Sequence, residues 1–191
     1  MKNGLAIVLV LGLALLGLMP YASATTSVEG PGTVNLGSSF GVTITSDEIV
    51  EAAYVVVTFS PELDVESISV DPDSSFSYSN YQSDTGSVEI IVAQERPAPV
   101  MPTLAEINFT ATGRGTPTIN LSSVINGVED DVESLIVEVT VPWDVNNDGL
   151  VNFLDLVEVI MHWGESDTVY DVDRNGVVGY SDLSLVVEHL E

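Results

Sequence analysis

The sequence contains no cysteine, and its 191 residues carry only four lysines and arginines against 29 aspartates and glutamates. Without cysteine no disulfide can staple a small domain and no thiol can serve as nucleophile or soft-metal ligand, so packing or a hard metal has to hold the chain. The shortage of cations excludes a class of partner. So acidic a surface repels nucleic acid and anionic lipid and favours divalent cations. Histidine is equally scarce: His162 and His189 are the only two, each expected as an exposed residue near a helix end rather than as a catalytic base. Among 29 acids some pair will always lie close, so carboxylate proximity does not argue for glycoside hydrolysis. The expectation is a binding protein and not an enzyme.

One long apolar run is present, at the start. Lys2, the run from Gly4 to Leu18 and the small residues Ala22-Ser23-Ala24 read as an export signal over residues 1–24, with Thr25 as the expected mature start. The run is shorter than the roughly 18 to 20 residues of a spanning helix, and no other segment approaches that length. The expected product is secreted, extracellular or cell-surface associated, with no membrane span after signal cleavage. Loss of Lys2 leaves Arg96, Arg114 and Arg174 against the 29 acids, a formal charge of −26.

Two regions follow with different hydrophobic periods. From Val28 to Val141, segments rich in β-branched and aromatic residues (42–45, 53–59, 87–93, 104–111, 118–121 and 135–141) alternate with Gly, Pro, Asn, Asp and Ser. Strands at such spacing without intervening helices predict a mainly β fold, a sandwich or jelly roll of about nine strands. The prolines of the stretch Arg96 to Pro102 exclude a sheet interior and predict an exposed loop. Beyond Pro142 the spacing becomes three and four, predicting two short amphipathic helices, Phe153 to Trp163 and Ser181 to Leu190. The expected domains are 25–141 and 143–191, with no Ser/Gly/Pro-rich linker between them.

The second region carries the chemistry. Residues 144–155 read DVNNDGLVNFLD and residues 171–182 read DVDRNGVVGYSD, a repeat offset by 27. A hard cation such as Ca2+ takes six to eight oxygens, which a twelve-residue loop supplies from positions 1, 3, 5, 7, 9 and 12, with glycine at 6 for the sharp turn. The first loop offers Asp144, Asn146, Asp148, the Leu150 carbonyl, Asn152 and Asp155, with Gly149 at the turn. The second offers Asp171, Asp173, Asn175, the Val177 carbonyl and Asp182, with Gly176 at the turn and a water expected at Gly179. Two Ca2+ ions are therefore expected. Val151 and Val178, both at position 8, are suited to form the apolar centre between the loops. No helix is expected to enter either loop, because Glu138 to Trp143 reads as strand then proline and Glu165 to Tyr170 is short and polar.

These tandem loop-then-helix units resemble a dockerin, the calcium-dependent plug domain of cellulosome-type assemblies. Position 12 is Asp in both loops, as in that family. The family's contact positions 10 and 11 hold Phe153-Leu154 and Tyr180-Ser181 instead of the common Ser-Thr, so the resemblance implies these four residues as partner contacts and an unfamiliar receptor. The β region resembles a cohesin, the jelly-roll receptor for dockerins. The residues that carry this likeness are Val34, Gly37 and Phe40-Gly41-Val42, then Val57 to Pro61 with Leu63, Leu104 to Phe109 with Ala111, Gly113 and Gly115, and the closing Val137 to Val141. The two resemblances imply a secreted adaptor, a monomer alone, whose partners are cohesin- or dockerin-bearing proteins, in extracellular polysaccharide breakdown or a cell-surface assembly. The alternative is a carbohydrate-binding sandwich tethered by its dockerin, with Phe76, Tyr78 and Tyr81 stacking on sugar; against it, Phe76 is expected in the core and the tyrosines along an edge.

Overall fold

A computed structural model describes residues 25–191 apart from 48, 95–101, 131 and 168. The expected export signal lies outside the described residues, as does the proline-rich stretch except Pro102, which is buried and accepts a hydrogen bond from Ser46 N–H. The chain divides into two compact units, Met1–Thr140 and Val141–Glu191.

The first unit is a β-sandwich with, among the described residues, twelve strands: β1 (Thr26–Glu29), β2 (Thr33–Asn35), β3 (Ser39–Ser46), β4 (Ala52–Phe59), β5 (Leu63–Val70), β6 (Tyr78–Asp84), β7 (Ser87–Ala93), β8 (Thr103–Ala111), β9 (Thr118–Ile125), β10 (Val128–Glu129), β11 (Glu133–Ile136) and β12 (Glu138–Thr140). Four strands form one antiparallel sheet in the order β1-β3-β8-β5; the other runs β10-β9-β4-β7-β6, with β11 also on β9, and β12 pairs with β2 in parallel. Period-two sequence makes the core. Val55 and Val57 of β4, Val88, Ile90 and Val92 of β7, and Ile119 and Leu121 of β9 alternate inward and are fully buried. From the opposite sheet Ile44, Ile107 and Phe109 meet them, and Phe109 anchors an aromatic cluster, stacked on Phe40 at 5.8 Å and edge-on to Phe59 at 5.2 Å. The inward hydroxyl of Ser123 would be costly alone; it bonds Thr26 Oγ1 at 2.9 Å.

The expected strands are present, but more strands than nine appear. The segment read as one strand over 135–141 is two, β11 and β12, which pair with different neighbours. β5 is hidden in sequence by a register shift between Val65 and Ser67 that breaks its alternation. β6 is hidden by its polarity: YSNYQSD is exposed throughout and is held on β7 by backbone pairing.

The second unit contains α1 (Phe153–Met161) and α2 (Tyr180–Glu188). Among the described residues no helix precedes either loop, and none is long and apolar enough to cross a membrane. Asn152 caps α1, its Oδ1 accepting from Leu154 N–H, while Asp155 reaches back to the Asn152 N–H. Gly179 takes the same place before α2 and brings no side-chain cap. The core between the helices is five buried valines, Val145, Val151, Val159, Val178 and Val186.

Candidate metal centre and contact surfaces

Each loop is shaped by its own carboxylates. In the first, Asp148 N–H and Gly149 N–H donate to the two oxygens of Asp144, at 3.2 and 3.0 Å, and Asn146 N–H and Asn152 N–H donate to the two oxygens of Asp155 at 3.3 and 2.8 Å. In the second, Asn175 N–H and Gly176 N–H donate to Asp171 at 3.0 and 2.8 Å, and Asp173 N–H and Gly179 N–H to Asp182 at 3.0 and 2.7 Å. The two networks superpose residue for residue on the 27-residue repeat. Folding the chain so tightly needs left-handed backbone, supplied by Gly149 and Gly176 at φ +90° and +98° and, less comfortably, by Asn147 and Arg174 at +56° and +59°. Positions 3 and 5 exchange chemistry between the loops. Asn146 Nδ2 donates to Asp148 Oδ2 at 3.1 Å in the first, and Asn175 Nδ2 to Asp173 Oδ2 at 2.8 Å in the second, so each pair keeps one carboxylate and one amide.

The donor set fits a hard divalent cation. Ligand oxygens of Asp171, Asp173 and Asp182 lie within 4.8 Å of one another, with Asp171 and Asp182 buried, and Asp155 is buried in the first loop. Like charges that close, desolvated and held in place by backbone N–H groups, are stabilised by a cation at their centre. Among the described residues no other group of three acidic or histidine side chains is gathered so closely. Leu150 and Val177, whose carbonyls are the expected position-7 ligands, are exposed. The oxygen of Asn152 is engaged as the helix cap described above. Ser181 also belongs partly to the loop: its hydroxyl accepts from Asn175 Nδ2 at 3.1 Å, and its bond to Asp173 is the main cause that holds the Asp173 carboxyl below the usual range.

Val151 and Val178 are both fully buried in the shared core. Their backbone pairs elsewhere: Val178 exchanges hydrogen bonds with Gly164 and Glu165 beyond α1, and the Val151 carbonyl accepts from Glu191 beyond α2. Both histidines sit at the C-terminal ends of their helices, as expected, but are half-buried rather than exposed. His162 lies flat on Tyr170 at 3.8 Å and His189 on Trp143 at 3.6 Å, so the residue after each helix stacks on the ring that opens the other loop. Glu165 also holds His162, its Oε2 lying 2.8 Å from Nδ1. Nothing in the spacing of the histidines reveals these partners.

Of the expected contact residues, Phe153, Leu154 and Tyr180 are exposed at 70, 56 and 77%, and Ser181 is also exposed. On α1 the surface continues through Ile160 and Met161, which the sequence reading passed over. The signal was present: seven of nine residues in FLDLVEVIM are apolar, more than one buried stripe can use. The repeat positions on α2, Val187 and Glu188, are half polar.

The sandwich has a second surface that sequence reading missed. On the outward face of the six-stranded sheet, register aligns Ile91, Tyr54 and Val124 across β7, β4 and β9, with Glu89, Val56 and Ser122 in the next row. Glu89 receives the Tyr54 hydroxyl; burial first, and then the Glu89 charge, raises the phenol above its ordinary range. Outward Tyr and Val on a central strand leave an apolar row where a solvated face would be polar. The proposed sugar platform does not form, because Tyr78 pairs with Ala93 on the outer face while Tyr81 pairs with inward Ile90, and Phe76 packs on the core.

A family model for the dockerin type I domain matches residues 142–191. Over almost its whole length the C-terminal unit thus matches the dockerin type I family. Solved structures with the sandwich's fold include the cohesin module of a family 33 glycoside hydrolase from Clostridium perfringens, with 16% identity and a TM-score of 0.54 over 63% of this chain and 98% of that one. Another is a type III cohesin module from the cell-surface anchoring scaffoldin of Ruminococcus flavefaciens, with 10% identity and a TM-score of 0.50 over 64% of this chain and 93% of that one. Shares so large can be supplied only by the sandwich, whose fold is therefore cohesin-like. No curated protein matches the chain. The protein is thus mainly β, a cohesin-like sandwich followed by a dockerin.

Proposed function

We propose that the protein is a secreted, non-catalytic adaptor in which an export signal over residues 1–24 precedes a receptor sandwich over 25–141 and a calcium-dependent plug over 143–191. The observation that carries this reading is the presence of both halves of one recognition system, a dockerin and a cohesin-like fold, on a single chain. In the plug, Asp144, Asn146, Asp148, Asn152, Asp155 and the Leu150 carbonyl hold one Ca2+, and Asp171, Asp173, Asn175, Asp182 and the Val177 carbonyl hold the other. Bound Ca2+ supplies charge neutralisation. The loops, so neutralised, present Phe153, Leu154, Ile160, Met161 and Tyr180 to a cohesin-bearing partner. The sandwich offers the row Ile91, Tyr54 and Val124 to a dockerin-bearing one. Polysaccharide breakdown or cell-surface assembly is the setting we propose.

Immobilised panels of cohesin modules, dockerins and insoluble polysaccharides test this with the mature chain. Capture by a cohesin in calcium that Met161→Asp abolishes, and capture by a dockerin that Tyr54→Asp abolishes, are the expected outcomes. Retention on polysaccharide with no capture on either protein panel would replace the adaptor with a carbohydrate-binding sandwich.

A further inference from the structure

Thr25, the residue that follows the expected export signal, is bound by Asp47 on three sides. Its N–H donates to Asp47 Oδ1 at 2.7 Å, its hydroxyl donates to Oδ2 at 2.5 Å, and its carbonyl accepts the Asp47 N–H at 3.1 Å. The next residues continue the pattern. Thr26 N–H and hydroxyl both donate to Asp130 Oδ2, at 2.6 and 2.9 Å, and Val28 N–H donates to Glu133 Oε2 at 3.0 Å. Three acids from separate places in the chain (Asp47 after β3, Asp130 after β10 and Glu133 on β11) therefore face the start of β1.

An amide nitrogen brings this acidic seat one proton and no charge; a free α-amino group brings three protons and a positive charge. We propose that the seat is built for a chain-end ammonium: hydrolysis of the Ala24–Thr25 bond frees the Thr25 nitrogen, which ion-pairs with Asp47 and couples export processing to the stability of the sandwich. This rests on the reading of residues 1–24 as an export signal. In the step, water adds across the peptide bond, Ala24 leaves with the new carboxylate, and the Thr25 nitrogen keeps the bonding pair and takes up a proton.

The coupling has a defined pH window. An α-amino group titrates near about 8 when free, and Asp47 raises that value in the folded state, so the contribution is complete below about 8 and disappears as pH rises through the folded value. Asp130 and Glu133 act in the same direction. On the acid side, the Thr25 hydroxyl first and its N–H second hold the Asp47 carboxyl below its ordinary range, so the pair persists until pH falls through that lowered value.

The experiment begins with export of the full chain from a secreting host, with N-terminal sequencing and intact mass of the product. The folding equilibrium of the sandwich is then measured by denaturant unfolding, followed by its β-sheet circular dichroism, for chains starting at Thr25, chains retaining Ala24, and each with Asp47→Asn. A product starting at Thr25 is expected. Retaining Ala24 is expected to lower the folding constant roughly two- to five-fold at neutral pH, the range of an exposed ion pair. That gap closes at alkaline pH and is absent with Asp47→Asn. Acetylating the Thr25 nitrogen should reproduce the loss with Asp47 intact, which covers the case in which Asp47→Asn fails to fold. A product starting elsewhere overturns the processing reading and the proposal with it. A Thr25 start with no pH-dependent gap between the Thr25 and Ala24 chains leaves the signal standing and overturns the ammonium seat alone.

Discussion

Among the described residues the sandwich gathers 22 buried apolar residues into one cluster, including the large, fully buried Phe109, Leu104 and Ile107, whereas the dockerin gathers five, all of them valine. The same contrast holds for charge. Among the described residues the sandwich buries one acid, Asp71, which accepts the Ser75 and Phe76 N–H groups of its own turn; the dockerin buries Asp155, Asp171 and Asp182 next to its small core. One unit is held by the area it removes from water, and the other has too little such area and keeps repelling carboxylates that only a cation relieves. Stability and metal dependence are therefore expected to divide at the boundary between the units. Both tryptophans, Trp143 and Trp163, lie in the dockerin, so indole fluorescence reports that unit alone within the intact chain.

Four variants sharpen or break the contrast. The largest effect is expected from Asp144→Ala with Asp171→Ala, which removes position 1 from both loops and with it the acceptor for two backbone N–H groups in each. Tryptophan emission should then stay at its unfolded position even in millimolar calcium, while the β-sheet circular dichroism of the sandwich keeps its wild-type melting temperature. Phe109→Ala is the converse. It should cost the sandwich about 3 to 5 kcal/mol in denaturant unfolding, the range for emptying a buried aromatic site, and leave the calcium midpoint of the tryptophan signal unchanged.

His162→Ala tests whether the dockerin's stacks supplement its small core. Loss of the ring from Tyr170 should destabilise the calcium-loaded unit by about 0.5 to 1.5 kcal/mol and move the calcium midpoint upward accordingly. Equal midpoints for variant and wild type would mean the stack is incidental. The smallest effect concerns Tyr54. Its phenol is raised in the folded state, so its contribution to the sandwich is complete below about 10 and is lost as pH rises through the folded value. Tyr54→Phe should flatten the alkaline limb of sandwich stability without altering its neutral stability by more than about 0.5 kcal/mol.

Legibility in the sequence followed the range of the interactions. β4, β7 and β8 were readable because a buried apolar residue (Ala, Val, Ile or Phe) at every second position is a local record of burial. The loops were readable because all their ligand candidates lie within twelve residues and the repeat states the pattern twice. What sequence could not carry is pairing between distant segments. β6 is a strand only because β7 offers it a ladder, and the apolar row Ile91, Tyr54 and Val124 exists only because three strands come into that register. The rings of Trp143 and His189 meet by the same kind of long-range closure, which makes a stacked pair of two residues 46 apart in the chain.

The most direct measurement of the contrast is a calcium titration of the intact mature chain after exhaustive chelation, with tryptophan emission and β-sheet circular dichroism recorded on the same sample. The expected result is a red-shifted, solvent-exposed indole spectrum without calcium that moves to its folded position as calcium is restored, against a β-sheet signal that stays constant throughout. Tryptophan emission already in its folded position after chelation, unchanged by added calcium, would contradict a dockerin that folds around its metal.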